Sequence, residues 1–394
     1  MHQRPRRILP VIVVSQLAAT SLWFAGNAVL PDLQSRLGLP DSALGHMTSA
    51  VQLGFIAGTL VFAVLAVSDR YSPRATYLAC ALFGAASNAS ALLAGEHMGL
   101  LLGTRFATGF FLAGIYPVGM KIASGWYRHD LGRALGFSVG ALVFGTALPH
   151  LIRGLGQSMP WETVMLSVSA IAVAGGAAMF ALVPDGPYLA GAAKFDLRAL
   201  ATVFRSRGFR ASSFGYFGHM WELYAFWAFV PPLVAAHAAR AGGPAVDISL
   251  MAFAVIAAGA IGCVAGGQLS LRYGSARVAC AQLAASGLCC LLAPLLFHAG
   301  PLLFLPFLLL WGVVVVGDSP QFSALNAHYA PADQVGSALT IANSIGFGIS
   351  VVSIQFLNVA ASAVPVHALF LLLVPGPIFG LWVLRPLLSK SKPD

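Results

Sequence analysis

Three ionisable residues stand inside long apolar runs of this sequence, namely Arg105, Glu222 and Asp318. A charged side chain at the centre of a bilayer costs roughly 2.5–3.5 kcal/mol on insertion scales, so each of them must face a cavity or a partner. Buried groups of this kind bind charged solutes or carry protons. They are therefore the first candidates for chemistry.

Arg105 lies in the outer half of its apolar segment, where Arg105, Thr108, Gly109, Leu112 and Tyr116 share one face of a predicted helix. The sequence predicts that Arg105 and Tyr116 line one wall. The guanidinium group then either binds an anionic group of a solute or orients a carboxylate that carries a proton. The alternative is a structural ion pair.

The two acidic residues have neighbours that suggest proton transfer. His219 precedes Glu222 by three residues, a spacing at which helical side chains can meet. An imidazole beside a carboxylate can exchange a proton near neutral pH, although a static polar pair has the same spacing. Asp318 precedes Ser319 and Pro320, and we expect it either to bind a proton or cation or to cap a broken helix.

Aromatic and amide side chains on three apolar segments predict an amphipathic binding wall. Trp23 and Asn27 are one helical turn apart, and three aromatic residues crowd one later segment. Aromatic residues in membrane helices also serve as packing residues or interface anchors, which is the alternative for each. The predicted wall consists of Trp23, Asn27, Trp221, Tyr224, Trp227 and Asn343.

The composition indicates that lipid surrounds most of the chain. Hydrophobic residues make up 58% of the sequence and charged residues 9%, whereas a soluble domain carries about 25% charged residues. The net charge of +9 is dispersed in short clusters without a basic, aromatic-rich stripe, so we expect no nucleic-acid partner. No nucleophile–base pair, metal-ligand spacing or phosphate-binding loop is present, so we predict no catalytic residue, metal or cofactor.

Twelve apolar segments are long enough to span a membrane. The first follows a basic N-terminus that resembles a signal peptide, but its apolar run is too long for one. With twelve spans, 18 of the 22 Lys and Arg residues fall on one side and three on the other, which predicts an inner-membrane protein with both termini cytoplasmic. The predicted spans are 8–30, 45–68, 75–95, 98–120, 134–154, 162–183, 211–236, 248–271, 276–298, 301–324, 334–360 and 364–385.

The chain is predicted to consist of two bundles of six helices. The longest connection divides residues 1–184 from residues 211–394, and we assign 185–210 as a cytoplasmic linker. Within it, residues 195–204 have helical spacing and are either a helix on the membrane surface or an unstructured linker.

An internal repeat supports this division. Trp23 and Trp227 are 204 residues apart, and so are the Gly–x–Ala–Leu sequences that begin at Gly132 and Gly336. A third similarity, between the loops after the second and eighth spans, has an offset of 202. Transporters built from such repeats place their substrate site near the bilayer midplane and rock one half against the other.

The loop after the second span resembles the cytoplasmic loop motif of the major facilitator superfamily. Asp69, Arg70 and Arg74 keep the charged positions of that motif, and the second copy keeps Arg272 but has Leu271 in place of the acid. The resemblance implies an all-α membrane protein with twelve transmembrane helices in two pseudo-symmetric bundles. It also implies that these four charged residues gate the cytoplasmic side. The alternative is that their charges only set the topology.

Residues 103–127, which include most of the fourth span, resemble the family's fourth-helix motif around a membrane Arg. The later part of this stretch resembles the family's anion and nutrient uptake branches more than its drug exporters. We therefore expect a proton-coupled secondary transporter that imports a small, anionic organic solute by alternating access and works as a monomer in lipid. The alternative is a proton-driven antiporter that exports drugs or metabolites. A membrane sensor or enzyme on a transporter fold is a third, less favoured hypothesis.

Overall fold

The computed structural model describes residues 5–95, 97–127, 131–156, 158–189, 202–241, 246–331 and 334–388. In these ranges the protein is helical and contains no strand. The chain forms two compact units, Met1–Phe195 and Asp196–Asp394. The division falls within the predicted connection at 185–210.

The helices of the first unit follow the predicted segments. In chain order they are α1 Ile8–Thr20, α2 Ala25–Ala28, α3 Leu30–Leu37, α4 Ala43–Val64, α5 Val67–Arg70, α6 Pro73–Ala89, α7 Met98–Leu112, α8 Tyr116–Trp126, α9 Leu131–Leu155 and α10 Trp161–Leu182. A short 3₁₀ helix, Ser90–Leu93, extends α6.

The second unit has a similar order of helices. They are α11 Arg207–Ala241, α12 Ile248–Tyr273, α13 Ser275–Phe297, α14 Pro301–Gly317, α15 Ser319–Tyr329, α16 Val335–Ala360, α17 Val366–Leu369 and α18 Pro375–Leu388. Two 3₁₀ helices complete it, Val203–Arg205 before α11 and Phe370–Leu373 between α17 and α18. The predicted surface helix at 195–204 lies largely outside the described residues.

The surface of these helices is suited to lipid. Within the described residues, ten spans are long and apolar enough to cross a membrane, and the shorter apolar helix α1 accompanies them. The remaining predicted span corresponds to α11, a 35-residue helix that contains several polar residues. Large apolar side chains such as Leu302 and Leu271 are 95% and 89% exposed. Contact of such side chains with water is unfavourable, whereas contact with lipid is not. The predicted all-α, multi-pass membrane fold is confirmed.

The first predicted span is interrupted, which the sequence analysis did not anticipate. The helix stops at Thr20 and resumes in the short helices α2 and α3. The hydroxyl groups of Thr20 and Ser21 donate to the carbonyl oxygens of Gln16 and Ala18 at 2.7 and 2.6 Å. Hydroxyl groups that bond back to the preceding turn compete with the helix ladder and bend it.

The fourth and tenth spans are broken at equivalent places. The fourth is interrupted at residues 113–115 and the tenth at Asp318, and Asp318 lies 204 residues after Gly114. Pro117 and Pro320 follow the breaks, and proline lacks the N–H that would bond to the carbonyl four residues earlier. In the tenth span the thiol of Cys263 donates instead to the carbonyl of Val316, at 3.5 Å.

Glycines allow two pairs of helices to approach at backbone distance, at repeat-related positions. A Cβ atom on Gly109 of α7 would lie 2.0 Å from the carbonyl oxygen of Val51 in α4. A Cβ on Gly312 of α14 would lie 2.0 Å from the carbonyl oxygen of Val255 in α12. Val51 and Val255 are 204 residues apart, and Gly109 and Gly312 are 203 residues apart. The repeat seen in the sequence therefore extends to the packing within each unit.

Candidate functional site

Arg105 is fully buried in the first unit, with two of its three nitrogen atoms unsatisfied. Its Nη2 donates to Oδ1 of Asn88 at 2.7 Å and to Oγ1 of Thr108 at 3.1 Å. Asn88 is itself fixed, because its Nδ2 donates to Ser169 and to the carbonyl of Met165. Nε and Nη1 of Arg105 are buried and have no hydrogen-bond partner.

This environment leaves a positive charge without compensation. In the part of the chain that the structure describes, no carboxylate forms an ion pair with Arg105, which argues against the structural ion pair considered from the sequence. A buried ion that lacks a counter-charge carries a penalty of several kcal/mol. The guanidinium group has five N–H donors, and the three on Nε and Nη1 remain available to an anion.

The break in the first span lies directly against Arg105. A Cβ on Gly26 of α2 would lie 3.1 Å from Cδ of Arg105 and 2.7 Å from Cε of Met47. The next residue, Asn27, donates to Oγ1 of Thr48 in α4 at 2.8 Å. Gly26 thus makes room for the arginine, and α2 places the predicted residue Asn27 close to it.

The structure gives Trp23 an aromatic neighbour and moves Tyr116 from its predicted helical face. The ring of Trp23 packs 4.9 Å from that of Phe55 in α4. Tyr116 begins α8 after the break at 113–115, so it does not continue the helical face of Arg105, and Gly109 packs against α4. The predicted continuous face is therefore wrong, because Pro117 removes the hydrogen bond that would carry the helix through.

Glu222 occupies a buried polar cluster in the second unit. Its Oε1 accepts hydrogen bonds from the hydroxyl of Ser286, from Sγ of Cys290 at 3.2 Å and from Nε1 of Trp311 at 3.2 Å. The side chain is 1% exposed. Donors from α13 and α14 thus converge on one carboxyl oxygen at a site that water does not reach.

The spacing in the sequence suggested that His219 meets Glu222. In the structure His219 pairs with Asp318 instead. Nδ1 of His219 lies 2.9 Å from Oδ1 of Asp318, and both side chains are 1% exposed. Nε2 of His219 and Oδ2 of Asp318 are buried without a hydrogen-bond partner. Asp318 stands at the N-cap position of α15, as the capping alternative expected, but its side chain makes no capping hydrogen bond there. The imidazole and the carboxyl group are close enough to share a proton, and Nε2 and Oδ2 can each form a further hydrogen bond.

The aromatic residues of α11 point in more than one direction. Tyr224 packs against Trp227 and Phe347, with ring centroids 5.2 Å apart in each case. The indole N–H of Trp221 donates instead to the carbonyl of Leu372 at 3.1 Å. Asn343 is half-buried in α16, the helix that carries Phe347. The structure thus brings Tyr224 and Trp227 together and turns Trp221 towards the C-terminal segment.

The predicted gating residues lie at the ends of helices. Arg70 is exposed at the end of α5, and nothing is described of the Asp69 side chain. Nε of Arg74 lies 3.9 Å from Oδ2 of Asp185, and the Arg74 guanidinium stacks over Phe180. Arg272 stacks over its neighbour Tyr273 with 5.4 Å to the ring centroid.

Sequence reasoning missed the residues that hold this loop. Asp185 accepts a hydrogen bond from Ser72 at 3.1 Å, and Nζ of Lys121 donates to the carbonyl of Ser68 at 2.7 Å. The segment after α10 is also fixed, because Nε1 of Trp126 donates to the carbonyl of Pro184 at 2.8 Å. The available signal for these contacts was that Asp185 and Lys121 are charged residues next to predicted spans.

The partners of the buried charges were missed as well. Asn88, Ser286 and Trp311 lie on other helices than the groups that they contact, so no local spacing reveals them. Among the described residues, no group of three or more His, Cys, Asp or Glu side chains is placed to hold a metal ion.

Comparisons with known proteins agree with this architecture. The profile of the Major Facilitator Superfamily matches residues 12–354. AraJ of Escherichia coli (strain K12) is 27% identical over 218 residues, which is 53% of this chain and 52% of AraJ. The chain thus matches about half the length of this curated relative.

Two solved structures show the same fold. The proton:xylose symporter XylE is 12% identical with a TM-score of 0.75, and the similarity covers 97% of this chain and 95% of XylE. The human organic anion transporter MFSD10 is 16% identical with a TM-score of 0.67, and the similarity covers 97% of this chain and 100% of MFSD10. The match of the family profile over most of the sequence, on a helical membrane fold, leads to one conclusion. The chain belongs to the major facilitator superfamily, a family of membrane transporters and not of enzymes.

Proposed function

We propose that this transporter takes up a small organic anion together with protons, by alternating access, across the inner membrane. The first unit supplies the anion site at Arg105, and the second supplies the proton sites at Glu222 and at the His219–Asp318 pair. Both termini are cytoplasmic in this proposal, because 18 of the 22 basic residues then lie on the cytoplasmic side. The transporter works as a monomer in lipid.

The observation that carries the proposal is the uncompensated charge of Arg105. Burying it without a carboxylate destabilises the empty protein. An anionic ligand that bonds to Nε and Nη1 relieves this penalty, so the binding energy of the anion includes the relief. A neutral ligand gains much less from the same contacts, because hydrogen bonds to charged groups are worth about 1.5–3 kcal/mol and neutral ones about 1 kcal/mol.

Proton coupling is supported by the chemistry of the second unit. Glu222 and Asp318 are both buried, and each has a neutral form that needs no counter-charge. His219 offers a second proton position beside Asp318. Among the structural neighbours, XylE is named a proton symporter and MFSD10 an organic anion transporter. These likenesses show the fold alone.

The experiment begins with a thermal-shift screen of the purified protein against organic anions and uncharged analogues at two pH values. A ligand that binds the native state raises its melting temperature by mass action. Hits are then tested for flux in proteoliposomes under an imposed pH gradient. Protons flow from the acidic to the alkaline side. A solute that moves in the same direction accumulates on the alkaline side, and this is the result that we expect. Accumulation on the acidic side would identify the antiporter that the sequence left open as the alternative.

The Arg105→Gln variant tests the anion site, with Arg36→Gln as the matched control. Arg36 is an exposed arginine that pairs with Glu162 at 3.2 Å. We expect Arg105→Gln to weaken anion binding by roughly 10- to 100-fold, from the loss of one or two charged hydrogen bonds, and Arg36→Gln to leave it unchanged. Anion binding of wild-type strength in Arg105→Gln would remove the basis of the proposal.

A further inference from the structure

Gln52 is a second buried polar group of the first unit that has no use within the fold. It lies in α4 and is 0% exposed. Both Nε2 and Oε1 of its amide lack a hydrogen-bond partner in the described structure. A buried donor or acceptor that is left unsatisfied costs about 1–3 kcal/mol. A leucine would fill the same place without that penalty, so the amide needs another explanation.

Gln52 lies at the level of Arg105. Val51, its preceding neighbour, meets Gly109 of α7 at backbone distance. Two residues after Gln52, a Cβ on Gly54 would lie 1.9 Å from the carbonyl of Phe106, the residue that follows Arg105. The turn of α4 that carries Gln52 is therefore packed on the turn of α7 that follows Arg105.

The same side of α4 continues to the polar contact beside α2. Thr48 precedes Gln52 by one helical turn, so the two side chains share a face. Thr48 accepts the hydrogen bond from Asn27, and the neighbouring Gly26 lies against Arg105. Arg105, Asn27, Thr48 and Gln52 thus lie on neighbouring turns of α7, α2 and α4 around the break in the first span.

We propose that Gln52 recognises a hydroxyl group of the transported anion, so that the substrate class is a hydroxylated carboxylate such as a hydroxy acid or sugar acid. This inference rests on the proposed anion site at Arg105. An amide offers N–H donors and a carbonyl acceptor. A hydroxyl group donates and accepts at once, so it can satisfy both unpartnered atoms of Gln52. An alkyl group would satisfy neither atom, and a second carboxylate would satisfy only the N–H donors.

The test compares anions that differ only in hydroxylation. The probes are gluconate against hexanoate and lactate against propionate, each used to inhibit exchange of a transported anion in proteoliposomes. We expect wild-type protein to prefer the hydroxylated member of at least one pair by roughly 10- to 100-fold, since discarding one or two hydrogen bonds to a buried amide costs about 1–3 kcal/mol. In Gln52→Leu that preference should fall to about onefold, with binding of the unhydroxylated anion retained.

Two controls separate recognition from folding. Gln268→Leu changes an exposed glutamine of α12 and should keep the preference. The melting temperature of unliganded Gln52→Leu should equal or exceed that of wild type, because the variant removes two unsatisfied polar atoms. Gln52→Met provides a second variant with a shape closer to glutamine and should behave as Gln52→Leu does.

The outcomes distinguish this inference from the proposed function. If Gln52→Leu keeps the wild-type preference, or if wild type binds both members of each pair equally, Gln52 does not recognise a hydroxyl group while the anion site stands. If no carboxylate binds and uncharged solutes are exchanged instead, the proposed function fails and the inference fails with it.

Discussion

Replacing Glu222 by glutamine should remove one proton from the transport cycle without disturbing the fold. The carboxyl oxygen Oε1 accepts from Ser286, Cys290 and Trp311, and the amide oxygen of glutamine can accept from the same donors. The variant also buries no charge. We therefore expect the free energy of unfolding to change by no more than about 1 kcal/mol, which is the net value of one typical hydrogen bond.

The size of the transport effect follows from the number of proton sites. One pH unit stores about 1.4 kcal/mol per proton, which supports about tenfold accumulation of a solute carried with one proton. With protons on both Glu222 and the His219–Asp318 pair, accumulation of the anion at zero membrane potential rises about 100-fold per pH unit. Glu222→Gln should reduce this slope to about tenfold.

The assay measures steady-state accumulation in proteoliposomes at three imposed pH gradients, with exchange of labelled for unlabelled solute as a second readout. Exchange needs no net proton movement, so Glu222→Gln should retain it. The matched control is Glu162→Gln, which changes an acid in the first turn of α10 that pairs with Arg36. A slope in Glu222→Gln equal to that of wild type would refute the assignment of this carboxyl group, and so would a folded variant that has lost exchange.

Three further predictions concern positions with defined neighbours. Gly109→Ala places a Cβ 2.0 Å from a backbone oxygen of α4. We expect it to lower the free energy of unfolding by about 1–3 kcal/mol or more, and with it the melting temperature. The control Gly103→Ala, where no atom lies within 4 Å of the new Cβ, should not lower the melting temperature. Asn88→Ala removes the 2.7 Å acceptor of Arg105, so anion affinity in the thermal-shift assay should fall about tenfold while the proton slope stays unchanged. Asp185→Ala removes the acceptor that ties the loop after α5 to the segment after α10. Labelling of a cysteine placed in that loop should become about fivefold faster, with unchanged affinity for the anion. An unchanged labelling rate would show that this contact does not hold the loop.

The helices could be predicted because lipid imposes a one-dimensional requirement. A spanning segment must be apolar for about 20 residues and must satisfy its backbone within itself, so composition along the chain is enough to place it. Buried charges such as Arg105 and Glu222 could be recognised for the same reason, since any ionisable residue in such a segment is an exception. Helix ends were less certain, and α11 begins at Arg207 where the sequence suggested 211.

The contacts of these charges could not be predicted, because they depend on how helices pack. The donors to Glu222 lie 64, 68 and 89 residues further along the chain, whereas the sequence offered His219 as the nearest candidate. Residues three apart on a helix can point to different neighbours, and packing turned His219 towards Asp318. The break in the first span was also hidden, since it arises from the hydroxyl groups of Thr20 and Ser21 and not from a proline.

The close contact between α4 and α7 bears on which solutes the protein can select. Backbone meets backbone at Gly54, Gly58 and Gly109, so neither helix can slide along the other without a steric clash. The two helices must move as one rigid body through the cycle, and the separation of Gln52 from Arg105 then stays fixed. In the proposed site, this fixed separation sets the distance between hydroxyl and carboxylate that a substrate must have. Isomers with the same groups but a different number of carbons between hydroxyl and carboxylate should be told apart in every conformation.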